Sequence, residues 1–197
     1  MSLLFKIDEK TTPDISGLTY IPNFITKEEE HFLIENIDAS PWINDLKRRV
    51  QHYGYKYDYK SRNVNDDAYL GPLPKWVMPV SQRLFAKGIF PAVPDQMIVN
   101  EYEPGQGISA HIDCVPCFGD TIASLSLGSS CIMEFSNPNT REKAEKLLEQ
   151  RSLIVLSGKA RYEWAHAIPG RKSDMMNGQK IYRLRRVSLT FRNVILS

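Results

Sequence analysis

The sequence predicts an α+β fold that is mainly β: a double-stranded β-helix, or jelly roll, with N-terminal helices packed outside it. Two observations predict it. Helical apolar spacing marks the first half of the chain. From Met97 onward the period shortens to two, and short strands follow one another between turn signals. A third observation is an absence: no internal repeat, no low-complexity tract, and no run near the roughly 20 apolar residues of a spanning helix. At 197 residues, 42% hydrophobic and 24% charged, one globular domain over 1–197 with a sizeable core is expected.

The elements follow in order. Residues 1–17 form an entry segment, and Leu18-Thr19-Tyr20-Ile21 a short strand. Thr26-Lys27-Glu28-Glu29 is a capping box that opens a helix, with acids in its first turn and Phe32, Leu33 and Ile37 on its apolar face. In residues 47–64, Tyr53, Tyr55, Tyr57 and Tyr59 alternate strictly, with Arg48, Arg49, Lys56, Lys60 and Arg62 around them. Such a ribbon either covers the core as a half-buried hairpin or stacks bases and holds phosphates. Trp76, Val77, Val80, Leu84 and Phe85 recur at helical spacing up to a Gly88 C-cap, with Pro79 starting or kinking that helix.

Met97–Tyr102 is a strand, 103–107 a turn, and Ile108–Asp113 leads out of it. Thr121–Leu127 and Cys131–Phe135 read as a hairpin about Gly128-Ser129-Ser130. Asn139–Gln150 reads as a short surface helix, with Glu142 and Lys146 at i,i+4. Strands follow at Ser152–Ser157, Tyr162–Ile168 and Arg185–Val194, and the polar run 170–180 is a loop. The jelly-roll core thus spans 97–194.

Composition bounds the setting. Twenty-five basic and 23 acidic residues leave a net charge of +2, so a basic surface must come from local clusters: Lys47-Arg48-Arg49, Arg171-Lys172, and Arg183 with Arg185 and Arg186. Three cysteines, an odd number, argue against a disulfide framework and for a reducing compartment. Cys114-x2-Cys117 suits half a zinc site or a redox pair, but without further ligands it reads as loop packing. Met1–Lys6 soon meets Asp8, Glu9 and Lys10, so no signal peptide is expected. The expectation is a monomer in the cytoplasm, or the nucleus of a eukaryote, with no membrane partner.

Chemistry gathers around His111-Ile112-Asp113. A His and an Asp two apart on an extended segment share a face, and His166 on a later strand can close the triangle. Two neutral imidazoles and one carboxylate leave three positions of an octahedral metal open, the layout of non-haem Fe(II) oxygenases. Arg186 and Arg192, an R-x5-R pair, face the same way on the last strand. A dicarboxylate co-substrate needs such a guanidinium on one carboxylate, and Asn100 and Tyr102 are placed to orient it.

These pieces together, N-x-Y, H-x-D, the distant His and R-x5-R, resemble the AlkB-like family of Fe(II)- and 2-oxoglutarate-dependent dioxygenases. The likeness runs over nearly the whole chain and is specific in Val99–Asp113 and in Ser157–His166. Arg48–Tyr55 and Asp120–Gly128 look like the branch whose animal members hydroxylate a modified wobble uridine in tRNA.

The resemblance implies His111, Asp113 and His166 as iron ligands. It implies Arg186 on the distal carboxylate of 2-oxoglutarate beside Asn100 and Tyr102, and Arg192 on the chelating end or the substrate. Ser188 stands where many members carry Asn. Residues 47–64 become a nucleotide-recognition lid, with Arg48, Arg49, Tyr53, Tyr55, Tyr57 and Arg161 facing the substrate and no catalytic residue beyond the iron site. The implied cofactors are Fe(II), 2-oxoglutarate and O2. The implied substrate is tRNA or other RNA, with DNA the alternative. Rival readings are N-demethylation of alkylated RNA or DNA and hydroxylation of a protein or small molecule. The animal enzyme carries an RNA-recognition domain and a methyltransferase that 197 residues leave no room for, so the chain either finds RNA by itself, borrows a partner such as a separate methyltransferase, or acts on something else.

Overall fold

The computed structural model describes residues 14–44, 47–58, 63–64 and 68–196. Tyr59, Lys60 and Arg62 of the tyrosine ribbon lie outside the described residues.

Two antiparallel sheets face each other, as expected of a jelly roll. The larger carries β1 (Leu18–Ile21), β8 (Leu153–Leu156), β5 (Ile122–Gly128), β12 (Arg186–Arg192), β3 (Gln96–Tyr102) and β2 (Val50–Tyr53), in that order. The smaller carries β4 (Ile108–His111), β9 (Ala165–Ile168), β6 (Cys131–Ser136) and β7 (Lys143–Leu148). The chain passes between the sheets from β3 to β4, β4 to β5, β5 to β6, β7 to β8 and β8 to β9. Among the described residues no helix is long and apolar enough to cross a membrane.

Period-two alternation splits the larger sheet into two chemistries. Met97 and Val99 of β3, Leu125 and Leu127 of β5, and Val187, Leu189 and Phe191 of β12 point outward. There they pack against Leu33 and Ile37 of α1 (Lys27–Asp38) and Val80 and Leu84 of α2 (Met78–Ala86). Their inward neighbours line the space between the sheets.

Both helices begin and end for local reasons. Thr26 caps α1 reciprocally: its hydroxyl accepts from Glu29 N–H (3.2 Å), and the Glu29 carboxylate accepts from Thr26 N–H (2.9 Å). Phe32, expected on the buried face, is 50% exposed, because the apolar stripe narrows to Leu33 and Ile37. Pro79 sits in the first turn of α2, where its missing N–H costs no hydrogen bond, so it starts the helix without a kink. At the far end Gly88 has positive φ, and the bonds Gly88 N–H to Phe85 O and Ile89 N–H to Leu84 O form a Schellman stop.

Four expectations need correction. Strands β5 and β6 do not form a hairpin: each is already flanked in its own sheet, and Gly128-Ser129-Ser130 carries the chain across. Residues 143–148 form the edge strand β7 rather than a helix, because Ala144 and Leu148 bury against β6 while charges face out. The strand expected from Tyr162 begins at Ala165, after a helical turn α3 (Gly158–Tyr162). The polar run 170–180 holds a hairpin, β10 (Ser173–Met176) and β11 (Gln179–Tyr182), turning at Asn177-Gly178 with both φ positive. Buried Asp174 anchors that hairpin, accepting from Arg183, Arg171 and the Ile132 N–H.

The tyrosine ribbon is not one strand. It breaks at Gly54, whose φ is +79° and where a Cβ would lie 1.8 Å from Asp95 O. The chain leaves the sheet there and returns at Tyr69 and Leu70, where Leu70 N–H bonds Gly54 O (2.8 Å) and Tyr55 bridges Tyr69.

Glu30 locks α1 to the barrel from a buried position, accepting from the Gly128 N–H (2.8 Å), the Gln150 amide (3.0 Å) and Arg151 (3.0 Å). Replacing Glu30 with Ala strands all three donors and is expected to lower unfolding free energy by about 3 kcal/mol, measurable by urea denaturation. A loss below about 0.5 kcal/mol would contradict this role.

Candidate active site

The space between the sheets is a cavity of about 830 Å³. Its wall is built by the inward set of the larger sheet: Ile98, Asn100 and Tyr102 from β3, Ser124 from β5, and Arg186, Ser188, Thr190 and Arg192 from β12. The smaller sheet contributes His111 and His166, and Asp113 follows β4.

Register brings the two histidines together. Strands β4 and β9 pair His111 directly with His166, and the ring centroids lie 4.4 Å apart. Asp113 Oδ2 lies 3.5 Å from His166 Nε2, and one donor atom from each of the three residues lies within 4.8 Å of the others. The Ser109 carbonyl takes the His111 Nδ1–H (2.8 Å), a contact that directs Nε2 toward a metal.

The electrostatics suit ligation. Burial opposes ionisation of Asp113, but Arg192, His166 and His111 outweigh it and hold its carboxyl well below the usual range. Burial pushes the His166 imidazole down to about 4, against the pull of Asp113, so at neutral pH it is a neutral donor. Burial likewise pushes His52 down to about 4, and its Nδ1 accepts the Tyr57 N–H (3.4 Å).

Arg186 lies in the cavity wall. Its guanidinium is buried and lies 5.5 Å from the Tyr102 ring centroid, and Nη2 donates to Ser126 Oγ (2.8 Å). Its Nε and Nη1 have no partner among the described residues. A buried guanidinium with two unsatisfied nitrogens lacks acceptors that an incoming carboxylate could supply. The convergent set of two imidazoles and one carboxylate fits Fe(II), so the residues present match both groups.

Arg192 lines the cavity and is held by Asp113 and Gln96. Its Nε (3.1 Å) and Nη2 (2.6 Å) donate to Asp113 Oδ1, and Nη1 donates to Gln96 (3.1 Å). All three nitrogens engage the protein, so Arg192 acts on the ligand carboxylate. Asn100 Oδ1 accepts from Arg48 Nε (2.9 Å), and both line the cavity with Lys47 and Tyr57.

The other expected substrate residues lie outside the wall. Arg49 pairs with Glu101 and stacks on Trp42, because it faces the outer side of β3. Tyr53 packs edge-on against Trp76 on the helical side, and Tyr55 packs on Tyr69. Arg161 is buried, with its donors on backbone carbonyls. Cys114 and Cys117 form a disulfide, which corrects the reading of them as unbonded loop residues.

Three contributors escaped the sequence reading: Ser126 steadying Arg186, Gln96 on Arg192, and Phe118 beneath Arg192 at 4.7 Å. A signal existed for the first. Ser124 and Ser126 alternate with apolar residues along β5 and pair with Thr190 and Ser188.

The family model described as the 2OG-Fe(II) oxygenase superfamily matches residues 17–192. An Arabidopsis thaliana protein named "Alkylated DNA repair protein ALKBH8 homolog" is 42% identical, over 92% of this chain and 59% of its own length. A Xenopus tropicalis protein named "tRNA (carboxymethyluridine(34)-5-O)-methyltransferase alkbh8" is 36% identical, over 95% of this chain and 33% of its own length. The chain therefore spans between a third and three-fifths of these two relatives. A solved structure titled "The structure of OsALKBH1" has the same fold, with a TM-score of 0.64 at 21% identity, covering 90% of this chain and 96% of that one.

Two measurements probe the site. Arg186→Gln is expected to weaken 2-oxoglutarate binding to the Mn(II)-loaded protein by about 2–5 kcal/mol, some 30-fold or more, in calorimetric titration. Unchanged affinity would remove Arg186 from the co-substrate site. For the metal-free protein, His52 and His166 titrate near 6.5 when unfolded but near 4 when folded, so the unfolded chain binds more protons between those values. Stability should fall as pH drops from 6.5 to 4, and His52→Gln should flatten the slope of urea midpoint against pH.

Proposed function

The chain belongs to the 2OG-Fe(II) oxygenase superfamily, and from that premise we propose that it hydroxylates a modified uridine in tRNA. The observation that carries this reading is that one cavity is lined both by the His111–Asp113–His166 triad and by Lys47, Arg48 and Tyr57 of the lid segment. Cations and a phenol at the site of oxidation suit a nucleotide, whose phosphates need positive charge and whose base offers a face for stacking. The named tRNA relative supports RNA as the substrate.

The superfamily's cofactors, Fe(II), 2-oxoglutarate and O2, together oxidise a substrate C–H bond. The chain's residues prepare that chemistry. Asp113 enters it already ionised because Arg192 compensates its burial, and His166 is already neutral because burial keeps protons off it. Arg186, steadied by Ser126, grips the distal carboxylate of the co-substrate, while Asn100 and Tyr102 shape the wall beside it. Lys47, Arg48 and Tyr57 orient the nucleotide. A separate methyltransferase and a cytoplasmic site of action belong to the same reading.

Incubating total tRNA with Fe(II), 2-oxoglutarate and the protein, with His111→Ala as control, tests it by nucleoside mass spectrometry. A wobble uridine that gains one oxygen with wild type alone is the expected result. Loss of a methyl mass would replace hydroxylation with N-demethylation. Succinate formation without any change in tRNA would move the substrate outside tRNA altogether.

A further inference from the structure

Arg161 heads the fully buried side chains among the described residues, yet it neither lines the cavity nor belongs to the hydrophobic core. Its guanidinium is spent on one segment. Nη1 donates to Asp113 O (2.9 Å), Nη2 to Cys114 O (3.0 Å) and Phe118 O (3.4 Å), and Nε to Gly119 O (3.3 Å). Four carbonyls from seven residues of chain converge on one cation. Burial pulls its pKa down, and the nearby Asp113 charge works to retain the proton.

The segment so held carries both halves of the metal pocket's electrostatics. At its start is Asp113, whose carboxylate faces His166. Toward its end is Phe118, whose ring lies 4.7 Å beneath the Arg192 guanidinium that pairs with Asp113 Oδ1. The Cys114–Cys117 disulfide closes the same segment internally. Gly119 N–H to Asn193 O (2.9 Å) and Ile195 N–H to Cys117 O (2.9 Å) tie its outer side to the chain after β12. On its inner side Arg161 holds it from α3, a few residues before His166.

We infer that Arg161 is a positioning residue for the metal centre, setting the place of the Asp113 carboxylate by fixing the backbone of residues 113–119. The role rests on the reading of His111, Asp113 and His166 as metal ligands. It differs from substrate contact, because the side chain is 2% exposed and its bonds face backbone. Only a planar, five-donor cation can span four carbonyls in this way; a lysine ammonium is a point charge with three donors.

The test is Mn(II) binding, followed anaerobically by calorimetry and by the electron paramagnetic resonance signal of free Mn(II), well below the melting temperature of each variant. Arg161→Met is expected to weaken Mn(II) about ten- to a hundredfold, the usual effect of losing a group that orients a metal ligand. Arg161→Lys is expected to fall between it and wild type. A residue serving only overall stability would lower the melting temperature and leave Mn(II) affinity of the folded protein unchanged. Affinity within twofold of wild type in Arg161→Met overturns the inference. Should that variant not fold, Arg161→Lys decides on the same criterion. A wild-type protein that binds Mn(II) no better than His111→Ala would instead overturn the metal-site reading itself.

Discussion

The Arg192–Asp113 ion pair is the interaction on which the site depends. A carboxylate must be ionised to hold a divalent cation, yet it sits between two sheets where burial favours the neutral acid. Arg192 resolves that conflict before any ligand arrives, occupying Oδ1 and leaving Oδ2 toward His166. The arginine is itself buried, held by Gln96 and lying over Phe118. Charge compensation within the protein, rather than by a metal alone, keeps a buried carboxylate ionised.

Around that pair the jelly roll does the sorting. Alternation on β3 and β12 sends Val99, Leu189 and Phe191 to the helices and Asn100, Ser188 and Arg192 to the cavity. Slipping β12 by one residue would exchange its two sets and put arginines into the apolar layer. The helices matter to function mainly because their packing forbids that slip. Glu30, held by both Gly128 and Arg151, fastens α1 to two separate turns of the barrel.

Much of this was legible in the chain. The strand Leu18–Ile21, the Thr26 capping box and the Gly88 stop are local devices, and each forms as read. The metal triad was readable because residue type, spacing and strand period all agreed on it. What escaped was decided by tertiary partners. Residues 143–148 have helical charge spacing, but an open sheet edge beside β6 recruits them as a strand. The hairpin at 173–182 was missed although Asn177-Gly178 is a strong turn signal, because its apolar content is low. Arg49, Tyr53 and Arg161 have the composition of a nucleotide surface, and only the Arg49–Glu101 pair, the packing of Tyr53 on Trp76 and the burial of Arg161 show that they face elsewhere.

The Gly54 turn also bears on how such a site can diversify. The chain leaves the sheet at Gly54 and rejoins at Leu70, with the two ends hydrogen-bonded to each other. The excursion is therefore closed at its base, while Tyr57 on Phe118 and buried Val64 anchor its described part to the barrel. Doubling such a loop costs only about 0.6 kcal/mol of closure entropy. A lineage could thus lengthen, shorten or exchange the excursion and retarget the same iron centre to a different substrate, with the ligands and their supports left untouched.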